Sequence, residues 1–134
     1  MTLTRQDARL EAALGQSLTS LVANEARADA ATCRAIEAHR ALVAAETALS
    51  FQRVRLINIA AAKRRVDDNV LDELDAQLER LEVAAEERDA LEADLVQLLQ
   101  EREEEAKRQA GQGAAAPAAA PVPVVVVQGA ARRR

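Results

Sequence analysis

The residues able to do chemistry are few and scattered in this 134-residue chain. His39, the single histidine, stands among Ala and Glu in a helical stretch, which favours a surface residue over a general base. Cys33, the single cysteine, has Arg34 beside it, but adjacent helix residues do not face each other, so we expect a small packed or surface thiol. The many carboxylates of the second half have solvent-face spacing. We therefore expect no enzyme, catalytic residue, cofactor, metal or small-molecule substrate.

Two basic clusters and a valine run offer contact chemistry. Residues 63–65, Lys-Arg-Arg, suit a helix C-terminus, with a docking patch or nuclear import signal as alternatives. Arg132, Arg133 and Arg134 form a candidate basic contact for a phosphate backbone, an anionic membrane or an acidic protein, with a solubilising terminus as the alternative. The valines at 124–127 could extend a partner's sheet edge or be low-complexity sequence.

Apolar residues repeating every seven positions dominate the rest of the chain. One row runs without a miss from Leu14 to Leu56, and a second row beside it ends at Ile59. Two such rows form a stripe that another helix must cover. The predicted helix-packing interface comprises Leu14, Leu21, Ala28, Ala31, Ala35, Ala38, Leu42, Ala45, Leu49, Leu56, Ile59, Leu71, Leu74, Leu78, Leu81, Leu91, Leu95 and Leu98.

The elements that carry this stripe follow from breakers and caps. Gly15 weakens the first stretch, Ser17 could cap a restart, and Asn69 with Asp72 could cap a second helix. Thr4 and Asp7 resemble a helix start. The predicted segments are a short N-terminal helical segment (1–16), a first long helix (17–66), a turn (67–69), a second acidic helix (70–110) and a disordered Ala/Pro/Val tail (111–134). One continuous helix through 67–69 is the alternative.

The charge of the two helical halves differs in sign. Residues 1–66 carry 10 Lys/Arg and 6 Asp/Glu, a net +4, whereas residues 67–110 carry 5 and 16, a net −11. Opposite charge suits helices lying side by side. The predicted fold class is all-α: a long antiparallel helical hairpin or coiled coil with a disordered C-terminal tail.

The two halves of the first long helix differ in bulk. Its first half is rich in alanine, which lets a partner approach closely but buries little area. Residues 51–62 are apolar around most of the helix, so we expect the most buried part of the molecule there, facing residues 71–81. The alanine half is then the expected site for another protein.

A structural or interaction subunit is the function that these patterns favour. We expect it to pack with other helical subunits of an intracellular multiprotein complex, as a hetero-oligomer in preference to a homo-oligomer. The alternative is a self-associating adaptor or spacer that presents a basic C-terminal tail. Net charge −4 argues against nucleic acid, and the acidic second helix argues against a membrane surface. An N-terminus without an apolar signal core leads us to expect the cytoplasm or nucleus.

Overall fold

The computed structural model describes residues 4–62 and 64–114, and over these residues the chain is all-helical, as predicted. The helices are α1 (Asp7–Leu14), α2 (Leu18–Ala23), a 3-10 helix (Glu25–Arg27), α3 (Ala30–Ala61) and α4 (Asp68–Ala114). Helix α4 continues through 111–114, where the tail was expected to begin. Residues 115–134, with the predicted tail and its arginines, lie outside the described residues, as do residues 1–3 and 63.

Helix α1 ends at a glycine that reverses the chain direction. Gly15 has φ +66°, a left-handed conformation that glycine adopts without the penalty of a Cβ. The Ser17 hydroxyl accepts a hydrogen bond from the Ser20 N–H at 3.3 Å and caps α2, as predicted. This turn allows the first two helices to fold back onto the rest of the chain.

The prediction of one unbroken helix from 17 to 66 is wrong. Helix α2 ends at Ala23, and α3 begins only at Ala30. The Asp29 carboxylate accepts from the Thr32 N–H at 2.7 Å and so caps α3. This cap was not predicted because the surrounding alanines all favour a helix. Helix propensity alone does not show where a side chain such as Asp29 will accept a hydrogen bond from a backbone N–H and so start a new helix.

The two long helices are separated at residues 62–67, earlier than the expected 67–69. The Asp67 carboxylate accepts from the Val70 N–H at 3.0 Å, so Asp67 caps α4 in place of the expected Asn69. Arg64 forms an ion pair with Glu73 across the joint. Helix α3 ends at Ala61, so Arg64 and Arg65 lie in the joint and not at a helix C-terminus, where they were predicted. The change from cations to acids still marks the joint to within a few residues.

Helices α3 and α4 pack against each other along much of their length. The Gln77 side chain is fully buried, and its Nε2 donates to the Gln52 side-chain oxygen at 2.8 Å. Toward the other end, Arg102 donates to Asp29 at 3.2 Å and to Thr32 at 3.3 Å. Residues late in α3 therefore contact residues early in α4, and residues at the start of α3 contact residues late in α4.

The core lies at the opposite end from the one expected. Phe51, Val54 and Ile57, predicted to be the most buried residues, are all more than half exposed. The buried apolar cluster comprises Leu10, Leu21, Ala35, Ile36, Leu42, Leu95 and Leu99. Because α1 and α2 fold onto the alanine half, this chain itself covers the surface that was expected to await another protein. The low profile of alanine allows that close approach.

Candidate helix-packing surface

Helix α1 lies against both α3 and α4. Leu10 is fully buried and shares one cluster with Leu42 of α3 and Leu99 of α4. Asp7, also on α1, places a carboxylate oxygen 2.7 Å from Nε2 of His39 on α3. An apolar side chain between the two long helices and polar contacts at its edges therefore fix the position of α1.

The contact of α1 with α3 is a buried polar cluster. His39 is 8% exposed, so the prediction of a surface histidine is wrong. The Thr4 N–H donates to Asp7 Oδ1 at 3.1 Å, and the Thr4 hydroxyl donates to the same oxygen. A carboxylate withdrawn from water needs such partners, because an uncompensated buried charge is strongly destabilising. The cluster thus anchors the start of α1 on α3.

The contact of α1 with α4 is a row of half-buried polar pairs. Arg9 donates two hydrogen bonds to the Glu103 carboxylate, at 2.9 and 3.1 Å. The hydrogen bond from Arg9 lowers the pKa of Glu103, and the same bond raises the pKa of Arg9. Gln6 donates to Glu92 at 2.9 Å. The acidic α4 therefore attracts donors on the helix that covers it.

Helix α2 lies against α3 on the side that carries Ile36 and Val43. The Leu18 N–H donates to the Glu11 carboxylate at 2.8 Å, which ties α2 to α1. Leu21 is 3% exposed within the core cluster. Between α2 and α3 lies a mostly apolar groove of about 400 Å³, lined by Leu18, Thr19, Val22, Ile36, His39, Arg40 and Val43.

The surface of α3 and α4 that α1 contacts continues past the N-terminal end of α1, toward the joint at residues 62–67. Residues seven apart share one side of packed helices. On α3, Arg53 lies two such repeats after His39. On α4, Leu78 lies two repeats before Glu92, and Glu82 lies three repeats before Glu103. His39, Glu92 and Glu103 all contact α1 or its N-cap residue. Arg53, Leu78 and Glu82 share their seven-residue rows and therefore face the same side.

We call this uncovered continuation the distal groove. Its members come from the two long helices at the end near residues 62–67: Arg53, Ile57, Ala60, Leu71, Leu78, Glu82 and Ala85. Ile57 is 62% exposed, Leu71 49% and Leu78 43%. Large aliphatic side chains at such exposure on one continuous face are typical of an interaction surface.

A polar depression lies where the distal groove approaches the start of α1, and Arg53 and Ala85 line both. It has a volume of about 470 Å³ and is lined by Arg5, Glu46, Leu49, Ser50, Arg53, Ala85, Arg88 and Asp89. Arg88 lies 2.6 Å from Asp89 and 2.9 Å from Glu92, and 3.8 Å from Glu46 of α3. The hydrogen bond to Asp89 and the charges of Glu92, Asp89 and Glu46 raise the pKa of Arg88.

The two long helices differ in charge near the distal groove. Residues 47–61 of α3 contain two Arg and no acid, whereas residues 68–89 of α4 contain nine Asp/Glu and two Arg. Arg53 lies in the distal groove, whereas Arg55, two residues later, lies roughly 200° around α3 from it. The distal groove is therefore apolar, with Arg53 on its α3 side and Glu82 on its α4 side.

The predicted interface residues fall into three groups. The buried ones are Leu21, Ala35, Leu42, Ala45, Leu49 and Leu95. The half-buried ones are Leu14, Ala28, Ala31, Ala38, Leu56, Ile59, Leu74, Leu81, Leu91 and Leu98. Leu71 and Leu78 are exposed. Arg132, Arg133 and Arg134 lie outside the described residues, so a contact of the tail with a partner stays a prediction.

Several residues of this surface do not follow from the heptad rows. Ile36 lies beside the predicted row and packs in the core because α2 covers that flank. Asp7 and His39 meet only through the folding back of α1, and nothing local to either residue signals their pairing. Gln77 does carry a signal, since it is the polar member of an otherwise apolar row that runs from Val70 to Leu98.

Neither a cluster suited to a metal ion nor a membrane-spanning helix is found among the described residues. Across residues 4–62 and 64–114, no group of three or more His, Cys, Asp or Glu side chains is arranged to hold a metal ion. Within the same residues, no helix combines the length and the apolar content needed to cross a membrane. The comparisons with known proteins add no further site: no protein-family model, no curated protein and no solved structure matches this chain.

Proposed function

We propose that this chain is a non-enzymatic helix-packing subunit. In this proposal α3 and α4 form an antiparallel helical hairpin with coiled-coil packing, and the distal groove binds an amphipathic helix of another subunit in a multiprotein assembly. The observation that carries the proposal is the half-covered surface of the hairpin. Helix α1 covers one part of it, and the remaining part exposes Ile57, Leu71 and Leu78.

The packing of α1 indicates what a bound helix needs. It buries one leucine, Leu10, between α3 and α4, and its edges pair with polar groups on both helices. A helix over the distal groove would bury the aliphatic side chains of that groove in the same way. Full burial of a large aliphatic side chain contributes about 1.5–3 kcal/mol, and because these three are 43–62% exposed, covering them adds roughly half of that each.

The antiparallel arrangement has its own support in the polar contacts. The contact between the half-buried Gln52 and the buried Gln77 lies near the joint, and the contact between Asp29 and Arg102 lies at the far end. A buried polar pair within an apolar seam favours one register over its neighbours, because a shift leaves the amides unpaired. Cytoplasm or nucleus as the location stays a prediction.

The proposal is tested by Leu78→Glu, with Val83→Glu as the matched control. Both side chains are exposed leucine-sized or smaller aliphatics on α4, but Val83 lies on another face of the helix. The tagged full chain and both variants are returned to the native cell, and the isolated assemblies are cross-linked and mapped by mass spectrometry. We expect cross-links from the distal groove to a helical segment of another subunit, lost with Leu78→Glu and kept with Val83→Glu. Equal retention or equal loss in the two variants contradicts the proposal.

A further inference from the structure

We propose that the helix bound in the distal groove is a basic amphipathic helix, whose Lys or Arg side chains lie along the α4 side of the groove. This inference rests on the proposed function, because it gives the chemistry of the partner for the same surface. The juxtaposition that carries it is a row of exposed acidic side chains on α4 beside the exposed aliphatic residues of the groove.

An acidic row borders the distal groove on α4. Asp75, Glu82 and Asp89 follow one another at intervals of seven residues and are all exposed, so they share one side of the helix. Residues four apart are neighbours on a helix surface, which places Asp75 beside Leu71 and Glu82 beside Leu78. A helix that covers these two leucines therefore brings its own edge over the carboxylates.

Most of this acidic row lacks a partner within the chain. Asp89 is paired, since its carboxylate lies 2.6 Å from Arg88. Among the residues that the structure describes, no Lys, Arg or His lies within ion-pair distance of Asp75 or Glu82. An acidic edge on the partner would meet like charge at both positions, whereas a basic edge is attracted there.

Helix α1 shows how a helix binds this row. Glu103 belongs to the row, three repeats after Glu82. Arg9 donates two hydrogen bonds to Glu103, and the next residue, Leu10, is buried in the core between α3 and α4. The partner in the distal groove repeats this pattern, with a cation over the acidic row beside an apolar side chain over the seam. Because Asp75 lies seven residues before Glu82, two cations seven residues apart match both carboxylates.

The α3 side of the groove sets the partner's charge much less strongly. Arg53 is the cation there, and Ile57 and Ala60 continue the groove toward the joint. One exposed arginine can pair with a single acid or keep its contact with water, at little difference in free energy. The two unpaired carboxylates of α4 therefore decide the charge of the helix that fits.

The test uses the full chain and two synthetic helical peptides. Both peptides carry the same leucine-rich face with Gln along one edge. On the other edge, two positions seven residues apart hold Lys in the first peptide and Gln in the second. We expect the Lys peptide to bind about fivefold more tightly at low salt, because two exposed ion pairs each add a modest attraction. This advantage should shrink at high salt, which screens exposed charges.

Two charge reversals on α4 locate the effect. Glu82→Lys should abolish the preference for the Lys peptide, because it replaces one attraction by a repulsion. Glu87→Lys is the matched control: it makes the same charge change five residues later, roughly 140° around α4, and should keep the preference. Since both variants have the same net charge, a general attraction of cationic peptides to an acidic chain would change equally in both.

The measurement is fluorescence anisotropy of the labelled peptides, with circular dichroism to confirm that each variant keeps its helix content. Equal affinity for the two peptides, or no binding of either, overturns the basic helix as the partner. A preference that survives Glu82→Lys, or that is lost equally with Glu87→Lys, overturns it as well.

The outcomes for this inference and for the proposed function differ. If the peptides show no preference but Leu78→Glu removes a helical subunit from the native assembly, the proposed function stands with a partner of other charge. A cross-linked helix whose edge carries no cation, from another protein or from a second copy of this chain, has the same consequence. If the distal groove cross-links to no subunit at all, both proposals are wrong.

Discussion

Leu99 and Leu78 give a direct comparison of the covered and uncovered parts of one helix face. They lie three seven-residue repeats apart on the same row of α4. Leu99 is 0% exposed beneath α1, and Leu78 is 43% exposed in the distal groove. We predict that Leu99→Ala destabilises the isolated chain far more than Leu78→Ala, although both changes remove the same atoms.

The magnitudes follow from the difference in burial. Truncation of a fully buried leucine costs about 2–5 kcal/mol, because the lost transfer energy is joined by the energy of the cavity left behind. That is a large share of the roughly 5–15 kcal/mol that stabilises a typical domain. At position 78 about half of the side chain already contacts water and no closed cavity forms, so the expected cost is about 1 kcal/mol. A loss of about 3 kcal/mol lowers the Tm by roughly 10 °C in a chain of this size.

The assay is urea unfolding followed by circular dichroism at protein concentrations where sedimentation shows a monomer. Wild type, Leu99→Ala and Leu78→Ala are compared with a common m-value, so that differences in midpoint report differences in free energy. The dilution matters because any self-association that covered Leu78 would add its own contribution to the stability. A cost for Leu78→Ala that equals or exceeds the cost for Leu99→Ala in the monomer would refute the placement of the core beneath α1.

Two further predictions concern the backbone and the charged edge of α1. Gly15→Ala should destabilise the chain by about 1 kcal/mol because φ is +66° there, whereas Gly111→Ala within α4 should stabilise it by up to about 1 kcal/mol. Thermal unfolding of both variants measures these opposite changes in stability. A change of the same sign in both variants would contradict the left-handed turn at Gly15. The pKa of Glu103 is lowered by Arg9, so this carboxylate contributes stability that is present above its unfolded pKa and lost as the pH falls through its folded pKa. The Tm difference between wild type and Glu103→Gln should therefore be positive at pH 7, begin to fall near the unfolded pKa of about 4.3, and disappear once the pH is below the lowered folded pKa. The exposed neighbour Glu104→Gln serves as the control, and a difference that persists unchanged at low pH would contradict the pairing.

The local signals of the sequence predicted the elements well where a single residue decides the backbone. Gly15 ends α1 and Ser17 caps α2, because a left-handed turn and a hydroxyl cap are properties of those residues themselves. The all-helical class followed from composition and seven-residue spacing. The break between 23 and 30 was missed because its cap, Asp29, lies within a run of strong helix formers.

The location of the core could not be predicted from the same patterns. Residues 51–62 have the bulkier apolar side chains, yet Ile57 stays exposed, while small residues such as Ala35 are buried. Burial depends on which element comes to cover a face, and that depends on the direction taken after Gly15. The same turn brings Asp7 to His39 across 32 positions of sequence.

The sequence by itself thus determined that the chain forms helices, that α1 ends at Gly15 and α2 begins after Ser17, and that two long amphipathic helices of opposite charge are separated near residues 62–67. These are local properties, set by propensity, capping and the spacing of apolar residues. Only the tertiary structure decided which part of the long helices is covered from within the chain and which part is left as the distal groove. The physical reason is that a surface is buried only when a second surface covers it, and the residue pattern of one helix does not show which other element will do so.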